Sequence, residues 1–149
     1  TNTREAAEVL SSRLKILDRQ RMVEGANFVP SVEAHHSSLS KNVRIETEKR
    51  FKEKQIKNLV CTSSLELGID IGSIDFVIQY MSPRQVSKIL QRVGRSGHDL
   101  QRVSHGVIIS GDGDDVFESA AIAKLAMEPV KRGEIALFNS LLCLEYYVA

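Results

Sequence analysis

Residues 75–98 read Asp75-Phe76-Val77-Ile78-Gln79-Tyr80-Met81-Ser82-Pro83-Arg84-Gln85-Val86-Ser87-Lys88-Ile89-Leu90-Gln91-Arg92-Val93-Gly94-Arg95-Ser96-Gly97-His98. The first six form a short, largely apolar run, which predicts a buried strand. Ser82-Pro83 predicts the start of a helix, because proline is favoured in a first helical turn. Val86, Ile89, Leu90 and Val93 recur at three- and four-residue steps and give that helix its apolar face, and Gly94 and Gly97 end it. A strand followed at once by an amphipathic helix is the repeating unit of an α/β domain with a mainly parallel sheet.

The pattern extends to both sides. Asn58-Leu59-Val60-Cys61-Thr62 reads as another buried strand, joined to the first by a loop containing Gly68 and Gly72. Downstream, residues 105–110 predict a strand around Gly-Val-Ile-Ile, Gly111-Asp112-Gly113 a turn, and residues 115–127 a helix. Upstream, Ala6, Val9, Leu10, Leu14 and Leu17 predict an amphipathic helix over 5–17 with Thr3 as N-cap. Gly25, Asn27 and Pro30 break the chain, residues 32–36 predict a short strand, and Ser40 caps a charged helix over 41–54. From Pro129 the pattern changes: Lys131-Arg132-Gly133 reads as a linker and residues 139–149 as the first helix of a region that continues elsewhere. In such sheets ligands bind beyond the carboxyl ends of the strands, which directs attention to Thr62, the 68–70 loop and the turn after Tyr80.

Composition sets the outer limits. In 149 residues, 20 Lys and Arg against 19 Asp and Glu leave a net charge of +1, so a wholly basic nucleic-acid coat is excluded while a local basic groove is not. A hydrophobic content of 42% excludes disorder as a description of the whole, and the length suits one domain. No run approaches the roughly 18 apolar residues of a membrane helix, and the N-terminal stretch is not a signal peptide. Cys61 and Cys143 cannot by themselves build a disulfide scaffold or a zinc site, so a reducing, cytoplasmic location is the expectation. The chain opens at Thr1 without Met and ends in an apolar segment, and we expect it to be a piece of a longer protein.

Three stretches carry candidate chemistry. Gln91 to His98 brings Arg92 and Arg95 three residues apart, so both can leave one side of a helix end. A guanidinium fork offers parallel donors to phosphate oxygens and can stabilise a transferring phosphoryl group; a solvated basic helix end paired with carboxylates fits the same residues. Thr62-Ser63-Ser64 follows a strand end, where hydroxyls and main-chain N–H groups can hold a phosphate, and Asp70 is an acceptor suited to sugar hydroxyls. Helix capping is the alternative there. His35-His36-Ser37-Ser38-Leu39-Ser40 lacks the neighbouring ligands of a metal site and reads as a strand end leading to a capped helix, or as small polar groups on a nucleic-acid backbone.

In this order the stretches resemble the second RecA-like domain of superfamily 2 DExH-type helicases. Thr1-Asn2-Thr3-Arg4 resembles the end of motif IV, His36 to Ser40 the segment after it, Thr62 to Asp70 motif V, and Gln91 to His98 motif VI. The pattern Thr-Ser-Ser-Leu-Glu-Leu-Gly-Ile-Asp-Ile-Gly, then Gln-Arg-Val-Gly-Arg-Ser-Gly-His, is most like the large helicase-related (Lhr) family. The resemblance implies a three-layer RecA-like α/β fold, of the P-loop NTPase kind, over 1–128. Residues 129–149 would then be a linker and the start of a truncated helical or winged-helix region. It implies Arg95 as the arginine finger, with Arg92 in the same cleft. Gln91, Gly68, Asp70 and His98 would lie on the nucleotide side, and Asn2, Thr3, Arg4, His36, Ser37, Thr62 and Ser63 along the nucleic-acid backbone. His98 stands where many relatives carry a further arginine, and a histidine does not hold that permanent charge.

ATP and Mg2+ are the implied cofactors, held mainly by a first RecA-like domain of the same chain. DNA or RNA is the implied partner, and no membrane is. These residues contain no glycine-rich phosphate cradle and no Asp-Glu pair after a strand. The acidic run 111–115 lacks the ligand spacing of a calcium loop. The fragment alone is therefore expected to be inactive and to hold no metal. A nucleic-acid-binding or interaction module with a RecA-like fold and no ATPase activity is the alternative, and a duplex translocase that remodels without unwinding is a third reading.

Overall fold

Thr3 Oγ1 accepts a hydrogen bond from the Ala6 N–H at 3.2 Å, and the helix so capped, α1, runs over Arg4–Val23. It outlasts the expected span because nothing between Asp18 and Val23 breaks a helix. The structure, a computed structural model, describes residues 1–23, 32–65, 72, 74–96, 104–127 and 142–148. It divides into two units, Thr1–Gly72 and Ser73–Ala149.

In the first unit, α1 is followed by β1 (Val32–His35), α2 (Lys41–Lys52), β2 (Asn58–Cys61) and a 3₁₀ turn at Ser63–Leu65. β1 and β2 pair in parallel, from Val32 opposite Asn58 to His35 opposite Cys61. Ser40 caps α2 through its side chain, which accepts from the Val43 N–H at 3.4 Å. Lys15 on α1 pairs with Glu33 at 2.9 Å, while Glu8, two turns earlier, lies 3.3 Å from His36. As β1 advances its partners on α1 retreat, so α1 runs antiparallel to β1 and begins at the strand's carboxyl end. The Thr1 amino group accordingly donates to Cys61 O at 3.1 Å. Ala7, Val32, Ile56 and Leu65 are buried in this unit.

The second unit holds β3 (Val77–Tyr80), α3 (Val86–Val93), β4 (Ser104–Ser110), α4 (Gly113–Met127) and β5 (Leu142–Val148). The strand order is β3-β4-β5, all parallel. Ile89 and Val93 from α3, Ile108 from β4, and Ile122 and Ala123 from α4 form its core. Full burial of each isoleucine contributes about 1.5–3 kcal/mol. The α/β class and the parallel pairing agree with the sequence.

Two local expectations are corrected. α3 begins at Val86, not at Ser82-Pro83; its N-cap is Gln85, in an extended conformation with φ −148°. The Ser82 N–H is held by Asp115 Oδ1 at 2.7 Å, and Arg84 adopts φ 64°, which no right-handed helix accommodates. The segment 142–148, read as helical, is β5, in register with β4 from Ser104 opposite Leu142 to Ser110 opposite Val148. Its Tyr-Tyr-Val ending suits a strand.

Candidate functional site

Arg92 is the last-turn cation of α3, and its Nη1 donates to Gln79 Oε1 on β3 at 2.6 Å. Gln79 is 1% exposed. Its Nε2 donates to Tyr80 O at 3.1 Å and Met81 O at 2.8 Å, on the turn that leaves β3. Arg95 comes in the turn after α3, half-buried, its main-chain N–H donating to Arg92 O at 3.1 Å. Gln91 is also half-buried, on the final turn of α3.

Ser96 fixes where this turn ends. It is 1% exposed. Its Oγ accepts from the His105 N–H at 2.9 Å and lies 2.7 Å from Val93 O and 3.0 Å from His105 O, either of which can take its proton. Ser104 Oγ donates to Ser96 O, and Ser96 bridges in parallel to Ile74. Ile74 precedes β3, and Ser104 and His105 open β4. Arg95 is therefore carried at the amino edge of the second unit's sheet, on the opposite side from the carboxyl ends to which the ligand rule directs attention. The turn after Tyr80, which that rule does reach, is held differently. Asp115, 4% exposed, accepts from Ser82 N–H at 2.7 Å and from Gly111 N–H at 3.3 Å, tying the exit of β3 to the exit of β4.

In the first unit the expected nucleic-acid residues converge on one edge. Asn2, Thr3 and Arg4 open α1 at the carboxyl end of β1, where His36 and Ser37 leave that strand and Thr62 and Ser63 leave β2. Asn2, Arg4, Ser37 and Ser63 are exposed, and Thr62 is half-buried. The Thr62 N–H donates to His35 O at 3.3 Å, so the two strand exits are joined. Arg4 pairs with Glu8 at 3.0 Å, both exposed, an arrangement worth little to stability and easily exchanged for another anion. His36 departs from the expectation of a side-chain contact: it is 4% exposed and its ring faces Glu8.

His35, which no sequence motif singles out for this role, organises the edge. It is fully buried, with Nδ1 2.8 Å from Ser64 Oγ and Nε2 2.8 Å from Glu48 Oε1. Ser64 Oγ also donates to His35 O at 3.1 Å. The 3₁₀ turn behind Thr62 and Ser63 is thus bound to β1 and to α2 through one imidazole. Gln79 lies outside the sequence motifs as well; its signal is an amide in the middle of Phe-Val-Ile-Gln-Tyr. Gly68, Asp70 and His98 lie outside the described residues. No helix among the described residues is long and apolar enough to cross a membrane.

Comparison with known proteins gives the family. The helicase conserved C-terminal domain family matches residues 1–110. The ATP-dependent helicase Lhr-Core of Sulfolobus acidocaldarius is 48% identical over 130 residues, 86% of this chain and 14% of that protein. The Lhr helicase/uracil glycosylase of Escherichia coli is 36% identical over 146 residues, covering 83% of this chain and 10% of its own length. The chain thus spans a small fraction of the curated relatives it matches. Among solved structures, the Mycobacterium smegmatis helicase Lhr bound to ssDNA and AMP-PNP superposes with a TM-score of 0.75 at 38% identity, covering 85% of this chain and 16% of that one. The Saccharomyces cerevisiae protein Dbp5 L327V bound to RNA and ADP BeF3, 23% identical, covers 97% of this chain and 33% of its own, and shares the RecA-like fold with a TM-score of 0.67. By sequence and by fold, the chain belongs to the helicase conserved C-terminal domain family, and it is similar to helicases of the Lhr type.

Proposed function

We propose that this chain is the C-terminal motor half of an ATP-dependent nucleic-acid helicase or translocase. Arg95 acts as the arginine finger, and Arg92 works beside it in the nucleotide cleft, with Gln91 on the nucleotide side. Gly68, Asp70 and His98 belong to that side through the motifs they occupy. The observation that carries the reading is the pair of half-buried arginines at the end of α3, one with its guanidinium held on Gln79 and the other on a turn latched by Ser96. The reading is supported by the 38% identity to the Mycobacterium smegmatis helicase Lhr, whose structure contains ssDNA and AMP-PNP.

The residues present fit part of a triphosphate site. Bound ATP supplies a transferable phosphoryl group whose charge grows toward the transition state. Fixed guanidinium donors stabilise such charge with little reorganisation, a contribution on the order of 10³–10⁵ in rate. Mg2+ does not fit the acidic run 111–115. Asp112 Oδ1 accepts from the Asp115 N–H at 2.9 Å, and both Asp115 oxygens hold main-chain N–H groups. The first RecA-like domain is the proposed holder of the metal and of most of the nucleotide, and the isolated fragment is proposed to be inactive.

The edge formed by Asn2, Thr3, Arg4, Ser37, Thr62 and Ser63 is the proposed track for a DNA or RNA backbone, with His36 positioning Glu8 rather than touching the strand. Hydroxyl and other polar side chains dominate it, so contacts go to phosphate and sugar and sequence preference is small. The test is ATP hydrolysis and strand unwinding by the full-length protein on matched DNA, RNA and hybrid substrates. Stimulation by at least one of them supports the reading. Nucleic-acid binding without any hydrolysis would instead favour a binding module that keeps only the fold.

A further inference from the structure

Burying an amide costs free energy unless every polar atom finds a partner. Gln79 is 1% exposed in a strand whose neighbours are apolar, and a leucine or methionine would fill the same place without that requirement. Its three bonds account for its presence. Nε2 can only donate, and it faces two carbonyls, Tyr80 O and Met81 O. The Arg92 guanidinium can only donate, and it faces Oε1. The amide therefore has one orientation that satisfies all three partners, and flipping it would oppose donor to donor and acceptor to acceptor. The 2.6 Å contact is short, as charge-assisted bonds are. Met81 adopts φ 65°, uncommon for a residue with a side chain, and its carbonyl is one of the two that hold the amide.

We propose that Gln79 is a positioning residue for the proposed ATPase. Its amide is locked by the β3 exit turn and presents a fixed acceptor that sets the direction of the Arg92 guanidinium. This rests on the function proposed above. Gln79 touches neither nucleotide nor nucleic acid; it acts through Arg92.

The test is a double-mutant cycle in the full-length protein. ATP turnover with single-stranded DNA or RNA is measured for wild type, Gln79→Met, Gln79→Glu, Arg92→Ala and the Gln79→Met/Arg92→Ala pair, with thermal melting alongside. Gln79→Met should lower kcat on the order of 10–100-fold, the scale of a misplaced catalytic group. In the Arg92→Ala background it should lower it no further, because the two act as one unit. Gln79→Glu keeps an acceptor toward Arg92 but sets a carboxylate oxygen against Met81 O, so it should melt lower yet retain more turnover than Arg92→Ala. Independent, multiplicative losses, an unchanged kcat in Gln79→Met, or a folded Gln79→Glu as inactive as Arg92→Ala would each overturn the proposal. If the wild type shows no stimulated turnover, the proposed function fails and the positioning claim is decided by a crystal structure of full-length Gln79→Met. A displaced Arg92 guanidinium supports the claim, and one in its present place refutes it.

Discussion

Ser96→Ala isolates the latch that carries Arg95. The hydroxyl is buried, accepts from the His105 N–H at 2.9 Å and gives its proton to Val93 O or His105 O. Alanine leaves the His105 donor without that acceptor and removes the side-chain tie between the end of α3 and the start of β4, leaving the Ser104 Oγ bond to Ser96 O. Removing a buried hydroxyl that satisfies a partly buried donor costs about 1–3 kcal/mol. At 1.36 kcal/mol per tenfold change, this is a local opening favoured about 5- to 150-fold more than in the wild type. Amide hydrogen exchange at His105 reads that opening directly and does not require the whole protein to unfold in one step. Exchange at His105 should accelerate by that factor in Ser96→Ala, while amides of the β1–β2 pair in the first unit keep their rates. The Arg95 N–H, bonded to Arg92 O at 3.1 Å, should lose protection with it. Unchanged exchange at both amides would show that the serine does not hold the turn.

Asp115→Asn replaces an acceptor with a donor opposite the Ser82 or Gly111 N–H, so it should destabilise the second unit by about 1–3 kcal/mol and expose the 81–85 turn to limited proteolysis; resistance equal to wild type would contradict the role of Asp115 as the tie between the two strand exits. Arg4→Ala should weaken single-stranded nucleic-acid binding with no preference among sequences, and should flatten the plot of log affinity against log salt by about 0.7 if one phosphate contact is lost. An unaltered slope would remove Arg4 from the proposed track.

The parallel α/β architecture was legible because it rests on local patterns. The apolar runs at 58–62 and 105–110 each lie within one residue of the observed β2 and β4. Thr3 and Ser40 cap the helices that they precede, since capping depends on only three or four residues. What the sequence hid depends on distant partners. The start of α3 moved from Ser82 to Val86 because a carboxylate 33 positions away holds the Ser82 N–H. Leu142–Val148 is an apolar run of a length that periodicity cannot divide between helix and strand, and the edge of β4 decides it. The arginines were found from their spacing, but neither Gln79 nor the amino-edge placement of Arg95 can be derived from spacing. Both arise when α3 turns back across β3. His35 was hidden for the same reason, because Glu48 and Ser64 meet it only after α2 and β2 have folded against β1.

Whether Arg95 completes a nucleotide site shared with a neighbouring domain is decided by Arg95→Ala in the full-length protein, with hydrolysis and single-strand binding measured on the same preparation. With Arg95 as the finger, ATP turnover falls on the order of 10³–10⁵-fold while affinity for the strand changes little. Hydrolysis at the wild-type rate, or strand binding lost in parallel with it, would mean that Arg95 is not the finger.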